Sequence, residues 1–245
     1  MKKRILSILL LCCMVLTLLP TTVLAADGPM DTIPKYDVSI DVYNRTSDIS
    51  IKDSRSYYIY SSVPDKLRDT WAWDKKIFIK GDKAAPHVFI DGVNIKMSPS
   101  SKGPAIELNK KASAYLYFIG KDSTLQGADG RAAIQKNRSE GQLYVLARTG
   151  TTVTCKGGYR AAGIGGSWAI RNIGDSMFNM DMYGHGVNMH FGSQSNPDYW
   201  GGTINATGGE YGAGIGAGSW GHSGHSANTL LRGAAPRLDF YSGTG

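Results

Sequence analysis

Thr151-Thr152-Val153-Thr154-Cys155-Lys156-Gly157-Gly158-Tyr159-Arg160-Ala161-Ala162-Gly163-Ile164-Gly165-Gly166-Ser167-Trp168 returns, altered, as Gly202-Thr203-Ile204-Asn205-Ala206-Thr207-Gly208-Gly209-Glu210-Tyr211-Gly212-Ala213-Gly214-Ile215-Gly216-Ala217-Gly218-Ser219-Trp220. Each copy holds an alternating strand, a Gly-Gly turn, a tyrosine, an Ala-Gly-Ile element, a second glycine turn and a tryptophan. Internal repetition of this kind marks a stacked architecture.

Outward from the two copies, an apolar element ending in isoleucine recurs at Ile106, Ile134, Ile164 and Ile215, at intervals of 28, 30 and 51 residues. The first two intervals set a coil of about 28 residues. The third is one coil with an insertion or two shorter coils, and the alternation in 180–184 and 187–192 favours two. Short strands broken by Gly, Asp, Asn and Pro turns run through 77–81, 88–95, 105–108 and 114–118. A coil of short strands cannot bury its inner side chains alone. Stacked copies about 4.8 Å apart pair every strand with its neighbours and fill the bore with Ile, Val and Ala. The fold class is therefore all-β: a single right-handed parallel β-helix of about seven or eight coils at that period. Ile79, Ile90, Ile106, Ile134, Ile164 and Ile215 should line its bore.

Upstream, residues 1–25 have the pattern of a cleaved signal peptide: Lys2, Lys3 and Arg4, an apolar run, then Val23-Leu24-Ala25. A linker at 26–35 precedes an opening coil and cap at 36–76, within which 63–73 is a short helix or lid able to cover an open sheet edge. The β-helix proper spans 77–235, and 236–245 is the end of a fragment or the start of further modules. The processed chain keeps 24 basic against 20 acidic residues, a net charge of +4 spread along its length. That excludes a nucleic-acid patch, which needs clustering, and permits affinity for acidic glycans or an anionic wall. Only Cys155 survives cleavage, so an exported chain has no internal disulfide. The expected location is secreted, extracellular or wall-associated, without a membrane span.

The run Gly201-Gly202-Thr203-Ile204-Asn205-Ala206-Thr207-Gly208-Gly209 followed by Gly212-Ala213-Gly214-Ile215-Gly216 resembles the repeat of secreted or wall-associated β-helix modules of Gram-positive, often gut, bacteria. Those modules are commonly labelled carbohydrate-binding, and the resemblance covers roughly 37–220. It implies a polysaccharide or glycan partner. Two departures stand out: Cys155 and Lys156 occupy the places of Ala206 and Thr207, and 170–200 is richer in Met, His and aromatic residues than such repeats. Sequence-specific activity is expected from that irregular interval.

Aromatic residues carry the functional expectation. Tyr159 matches Tyr211 and Trp168 matches Trp220 in the repeat, so each pair should share one side of the solenoid, with Trp200 as a further candidate. Flat rings at coil spacing can stack on sugar C–H faces and form a glycan platform; alternatively they cover bare glycine backbone. Among the acids, Asp175, Asp181, Asp198 and Glu210 are the candidates for a glycoside hydrolase, which needs two carboxylates about 5 to 9 Å apart. A polysaccharide lyase would add clustered aspartates for Ca²⁺ and a basic residue such as Arg160 or Arg171. Asp and Asn at corners are also ordinary turn residues. His185, His190, His222 and His225 supply no third ligand at fixed spacing, so no metal site is assigned, and no cofactor is implied beyond the Ca²⁺ of the lyase case. A structural or adhesive scaffold with a protein partner is the remaining alternative.

Overall fold

The computed structural model describes residues 35–101, 103–109, 111–136, 140–168, 186, 188–193, 198–218, 229–231 and 238–241, the last two stretches as backbone. All of them fall within one compact unit, 34–245; the leader expected at 1–25 lies outside the described residues.

Two short coils open the chain: β1 (Val38–Asp41) with β2 (Ile49–Ile51), and β3 (Ser56–Tyr60) with β4 (Ile77–Lys80). Four complete three-stranded coils follow. They are β5 (His87–Asp91), β6 (Asn94–Lys96) and β7 (Ile106–Asn109); β8 (Ala114–Ile119), β9 (Ser123–Gln126) and β10 (Ile134–Lys136); β11 (Leu143–Ala147), β12 (Thr152–Lys156) and β13 (Ile164–Gly165); and β14 (Met189–Phe191), β15 (Thr203–Thr207) and β16 (Ile215–Gly216). β17 (Thr229–Leu231) and β18 (Leu238–Tyr241) begin another coil.

Each strand pairs in parallel with its counterparts in the coils before and after, giving three sheets. Sheet A is β1-β3-β5-β8-β11-β14-β17, sheet B β2-β4-β7-β10-β13-β16, and sheet C β6-β9-β12-β15-β18. The chain is thus a parallel β-helix whose coils run from sheet A to C to B.

Register follows from the inward side chains. Ile49, Ile77, Ile106, Ile134, Ile164 and Ile215 are successive partners on sheet B, a single isoleucine column through six coils. All but Ile215, which packs against the core while partly exposed, are buried. Ile79 and Ile90 are also buried in the bore, as expected. β-Branched side chains suit this pleated, doubly flanked position, and each buried isoleucine contributes about 1.5–3 kcal/mol relative to exposure. Cys155 takes a bore position between Leu125 and Ala206, and its burial pushes the thiol pKa up.

The number of coils corrects the expectation. Ile164 pairs directly with Ile215 and Cys155 with Ala206, so the 51-residue interval is one coil with an insertion, not two coils. Part of the alternating run near 187–192 becomes β14, while 180–184 lies outside the described residues. The long coil and the two-stranded opening coils together consume the length that seven or eight uniform coils would need.

Residues 63–73 stand where the second coil would place a sheet C strand. A 3₁₀ turn at Asp65–Leu67 leads to Trp73, whose N–H donates to Asn94 O while its own carbonyl accepts from Lys96 N–H. Arg68 Nη1 donates to Gly92 O at 2.9 Å, Asn94 Nδ2 to Arg68 O at 3.0 Å, and the indole of Trp73 to Arg45 O at 2.8 Å. The segment thereby covers the outer edge of β6, the end strand of sheet C, and uses hydrogen-bonding groups an exposed edge would offer to another chain.

Candidate functional site

Three consecutive corners joining sheet C to sheet B, at 127–133, 157–163 and 208–214, are built alike. In each the strand runs into a glycine with no room for a side chain; at Gly157 a Cβ would collide with the carbonyls of Ala161 and Ala162. The strands on either side fix the correspondence, since Leu125, Cys155 and Ala206 are partners before the turn and Ile134, Ile164 and Ile215 after it. Position by position, Asp129, Tyr159 and Glu210 form one column and Gly130, Arg160 and Tyr211 the next.

That second column has left-handed backbone: φ is 73° at Gly130, 61° at Arg160 and 63° at Tyr211. Glycine adopts this conformation freely, whereas a residue with a Cβ is destabilised there by about 1–2 kcal/mol. The only other non-glycine residue with positive φ among the described residues is Asn188, a type that tolerates it.

The side chains carried on this strained column converge. The Arg160 guanidinium carbon lies 4.9 Å from the ring centre of Tyr159, 5.0 Å from Trp168 and 5.7 Å from Tyr211. Tyr159 meets Trp168 edge-on, with centroids 6.2 Å apart. The Trp168 backbone N–H donates to Gly130 O at 2.9 Å, setting its side chain over the preceding corner, where glycine leaves it space. Tyr211 is 58% exposed and Tyr159 38%. Hydrogen bonding to the neighbouring Glu210 carboxylate holds the Tyr211 phenol above its ordinary pKa. Arg160 Nε is buried with no hydrogen-bond partner, and no salt bridge to it occurs among the described residues. Each cation–π contact is worth about 0.5–1 kcal/mol at an exposed site and more when dehydrated.

This geometry revises the repeat-based pairing of tyrosines. Tyr211 answers to Arg160, and Tyr159 to Glu210, because strand register rather than side-chain identity sets the alignment. The two tyrosines still share a corner, joined through the arginine. Trp220 lies outside the described residues. Trp200 does not join them: it is 5% exposed, meets Tyr117 at a tilt with centroids 5.3 Å apart and Tyr199 edge-on at 4.7 Å, and belongs to the corner between sheets A and C.

A second aromatic feature escaped the sequence reading. On the outer face of sheet A, His87, Tyr115, Tyr144 and His190 are partners in successive coils. Their rings stack with centroids 4.6, 4.5 and 4.5 Å apart and planes within 15° of parallel. Alongside, Phe89 stacks on Tyr117 at 4.8 Å. His87 Nδ1 lies 3.0 Å from the Tyr117 hydroxyl, and burial lowers the His87 pKa. His190 Nε2 is 2.7 Å from Gln142 Oε1, placing this candidate ligand inside the ladder.

Of the candidate acids, Asp198 and Glu210 are described and sit at different corners. Asp198 precedes β15, its carbonyl accepting from Thr149 Oγ1, and Glu210 follows it. The strand between them sets a separation on the order of 15 Å, wider than the roughly 5–9.5 Å between glycosidase carboxylates. Asp175, Asp181, Arg171, His185, His222 and His225 lie outside the described residues. Among the described residues, no group of three His, Cys, Asp or Glu side chains is arranged to hold a metal ion. No family model, curated protein or solved structure matches this chain.

Proposed function

We propose that this β-solenoid acts outside the cell, binding polysaccharide chains at the corner formed by Tyr159, Arg160, Trp168 and Tyr211. The observation that carries the reading is the left-handed backbone of Arg160 and Tyr211, where the preceding coil uses Gly130. Strain kept at neighbouring positions, with a cation and an exposed ring mounted on it, suits a binding site better than a packing device. Open aromatic faces accept the C–H faces of sugar rings, and coil repetition presents such groups at regular spacing to a repeating ligand, so several weak contacts add through avidity. The leader-like residues 1–25 and the resemblance to secreted β-helix modules support the same reading.

The test is retention on insoluble polysaccharides by affinity chromatography. The double variant Tyr159→Ala, Tyr211→Gly should elute at least about tenfold earlier in retained fraction, a loss of roughly 1.4 kcal/mol, with an unchanged β-sheet circular dichroism spectrum. Unchanged retention, or no binding by the wild type across a broad polysaccharide panel, would sink the reading in favour of a scaffold with a protein partner.

A further inference from the structure

Within that glycan-binding reading, on which this step rests, the position of Arg160 bears on the kind of sugar. A purely aromatic platform serves neutral sugars well, because C–H faces need only a flat apolar surface. Here a fixed positive charge stands at the centre of the rings. Its partners among the described residues are ring centres at 4.9, 5.0 and 5.7 Å. Arg45, Arg55 and Arg68, by contrast, each donate to a carbonyl or carboxylate. Ring contacts engage the face of a guanidinium, whereas its five N–H donors lie in the plane and match the two oxygens of a carboxylate or sulfate. Arg160 Nε is buried with no acceptor among the described residues, so no internal anion holds the guanidinium. Lys156, exposed at the end of β12, adds a second cation beside the corner. Of the two acids in the neighbouring column, Asp129 and Glu210, Glu210 hydrogen-bonds with the Tyr211 hydroxyl, and neither forms a salt bridge with Arg160 among the described residues.

We infer that the corner selects acidic glycans, with the anionic substituent of one sugar paired to the Arg160 guanidinium while Tyr159 and Tyr211 hold the rings.

The register supplies a clean variant. Gly130 occupies the same place in the preceding corner with φ 73°, so Arg160→Gly removes the charge and relieves strain instead of adding it. Affinity electrophoresis would compare polygalacturonate with its methyl ester, and dextran sulfate with dextran, for the wild type, Arg160→Gly and Arg160→Lys. The expected result is a preference of about tenfold or more for the anionic member of at least one pair, the size of one charge-assisted hydrogen-bonded contact. That preference should fall to within about twofold in Arg160→Gly and be partly kept in Arg160→Lys, read as the ratio within each pair so that a general loss of binding to both members cancels. Which pair responds tells carboxylate from sulfate. Equal binding within both pairs, or a preference that survives Arg160→Gly, overturns the inference and leaves neutral glycan binding standing. Failure to bind all four polymers overturns the inference, and the glycan-binding reading falls with it only when the broad polysaccharide panel is not retained either.

Discussion

The outer face of sheet A and the corner around Arg160 use aromatic residues in opposite ways. Along sheet A, His87, Tyr115, Tyr144 and His190 present their faces to one another at about 4.5 Å, leaving edges rather than faces outward. At the corner, Tyr159, Trp168 and Tyr211 face a cation, and Tyr211 remains mostly exposed. A stacked ladder satisfies itself and strengthens the fold; rings gathered around a charge at a strained turn keep recognition capacity. An aromatic count cannot tell these apart, because the difference lies in which ring faces are already occupied.

The sharpest way to break the comparison is Tyr115→Ala. It removes three ring contacts, to His87, Tyr117 and Tyr144, and half-buried area, so the variant should lose about 2–3 kcal/mol of stability, measured by urea denaturation, with polysaccharide retention intact. A ladder variant that lost binding without losing stability would erase the distinction.

Tyr211→Gly is the converse. Relief of about 1–2 kcal/mol of left-handed strain offsets the roughly 0.5–1 kcal/mol entropic cost of a glycine together with the roughly 0.5–1 kcal/mol of the lost Arg160 contact. Thermal melting should therefore be unchanged or higher than in the wild type, even as binding falls. A clear drop in melting temperature would mark the corner as a structural element after all.

The smallest effect sharpens the ladder side. Burial lowers the His87 pKa in the folded chain, so above the ordinary value of about 6.5 the imidazole is neutral in both states and adds no pH dependence. As pH falls below 6.5 the unfolded chain takes up the proton first, and stability is lost toward the lower folded pKa. The slope cannot exceed about 1.4 kcal/mol per pH unit for one proton. His87→Phe, which keeps a ring in the stack, should remove this slope between pH 6.5 and 5.5 in denaturant titrations.

The architecture was legible because the bore demands it. Isoleucines at 28- and 30-residue spacing, with glycines at the turns, have no helical counterpart, and they became one column of sheet B. The long interval is ambiguous in sequence because alternation in its middle looks like extra strands, whereas only pairing across it shows Ile164 meeting Ile215. The corner was half legible. Side-chain identity pairs tyrosine with tyrosine, yet counting six residues from Gly158 to Ile164 and from Gly209 to Ile215 sets Arg160 opposite Tyr211. The ladder was hidden because its four members lie in strands of different composition and share a column only once register is known. Lys136 was hidden too: alternation from Ile134 turns it inward beside Leu108, where its ammonium donates to Glu140 O at 2.8 Å and burial lowers its pKa to about 8.

The segment at 63–73 gives the molecule a direction of growth. A solenoid coil contacts only its neighbours, so each finished coil is a template for the next, and a nascent chain emerges amino end first. With Trp73 laid along β6, the early edge of sheet C is closed before β9 arrives, and new strands can dock on one side only. Strands of sheet C are therefore added on the β9 side of β6, and a stray strand from a neighbouring chain meets a blocked edge on the other.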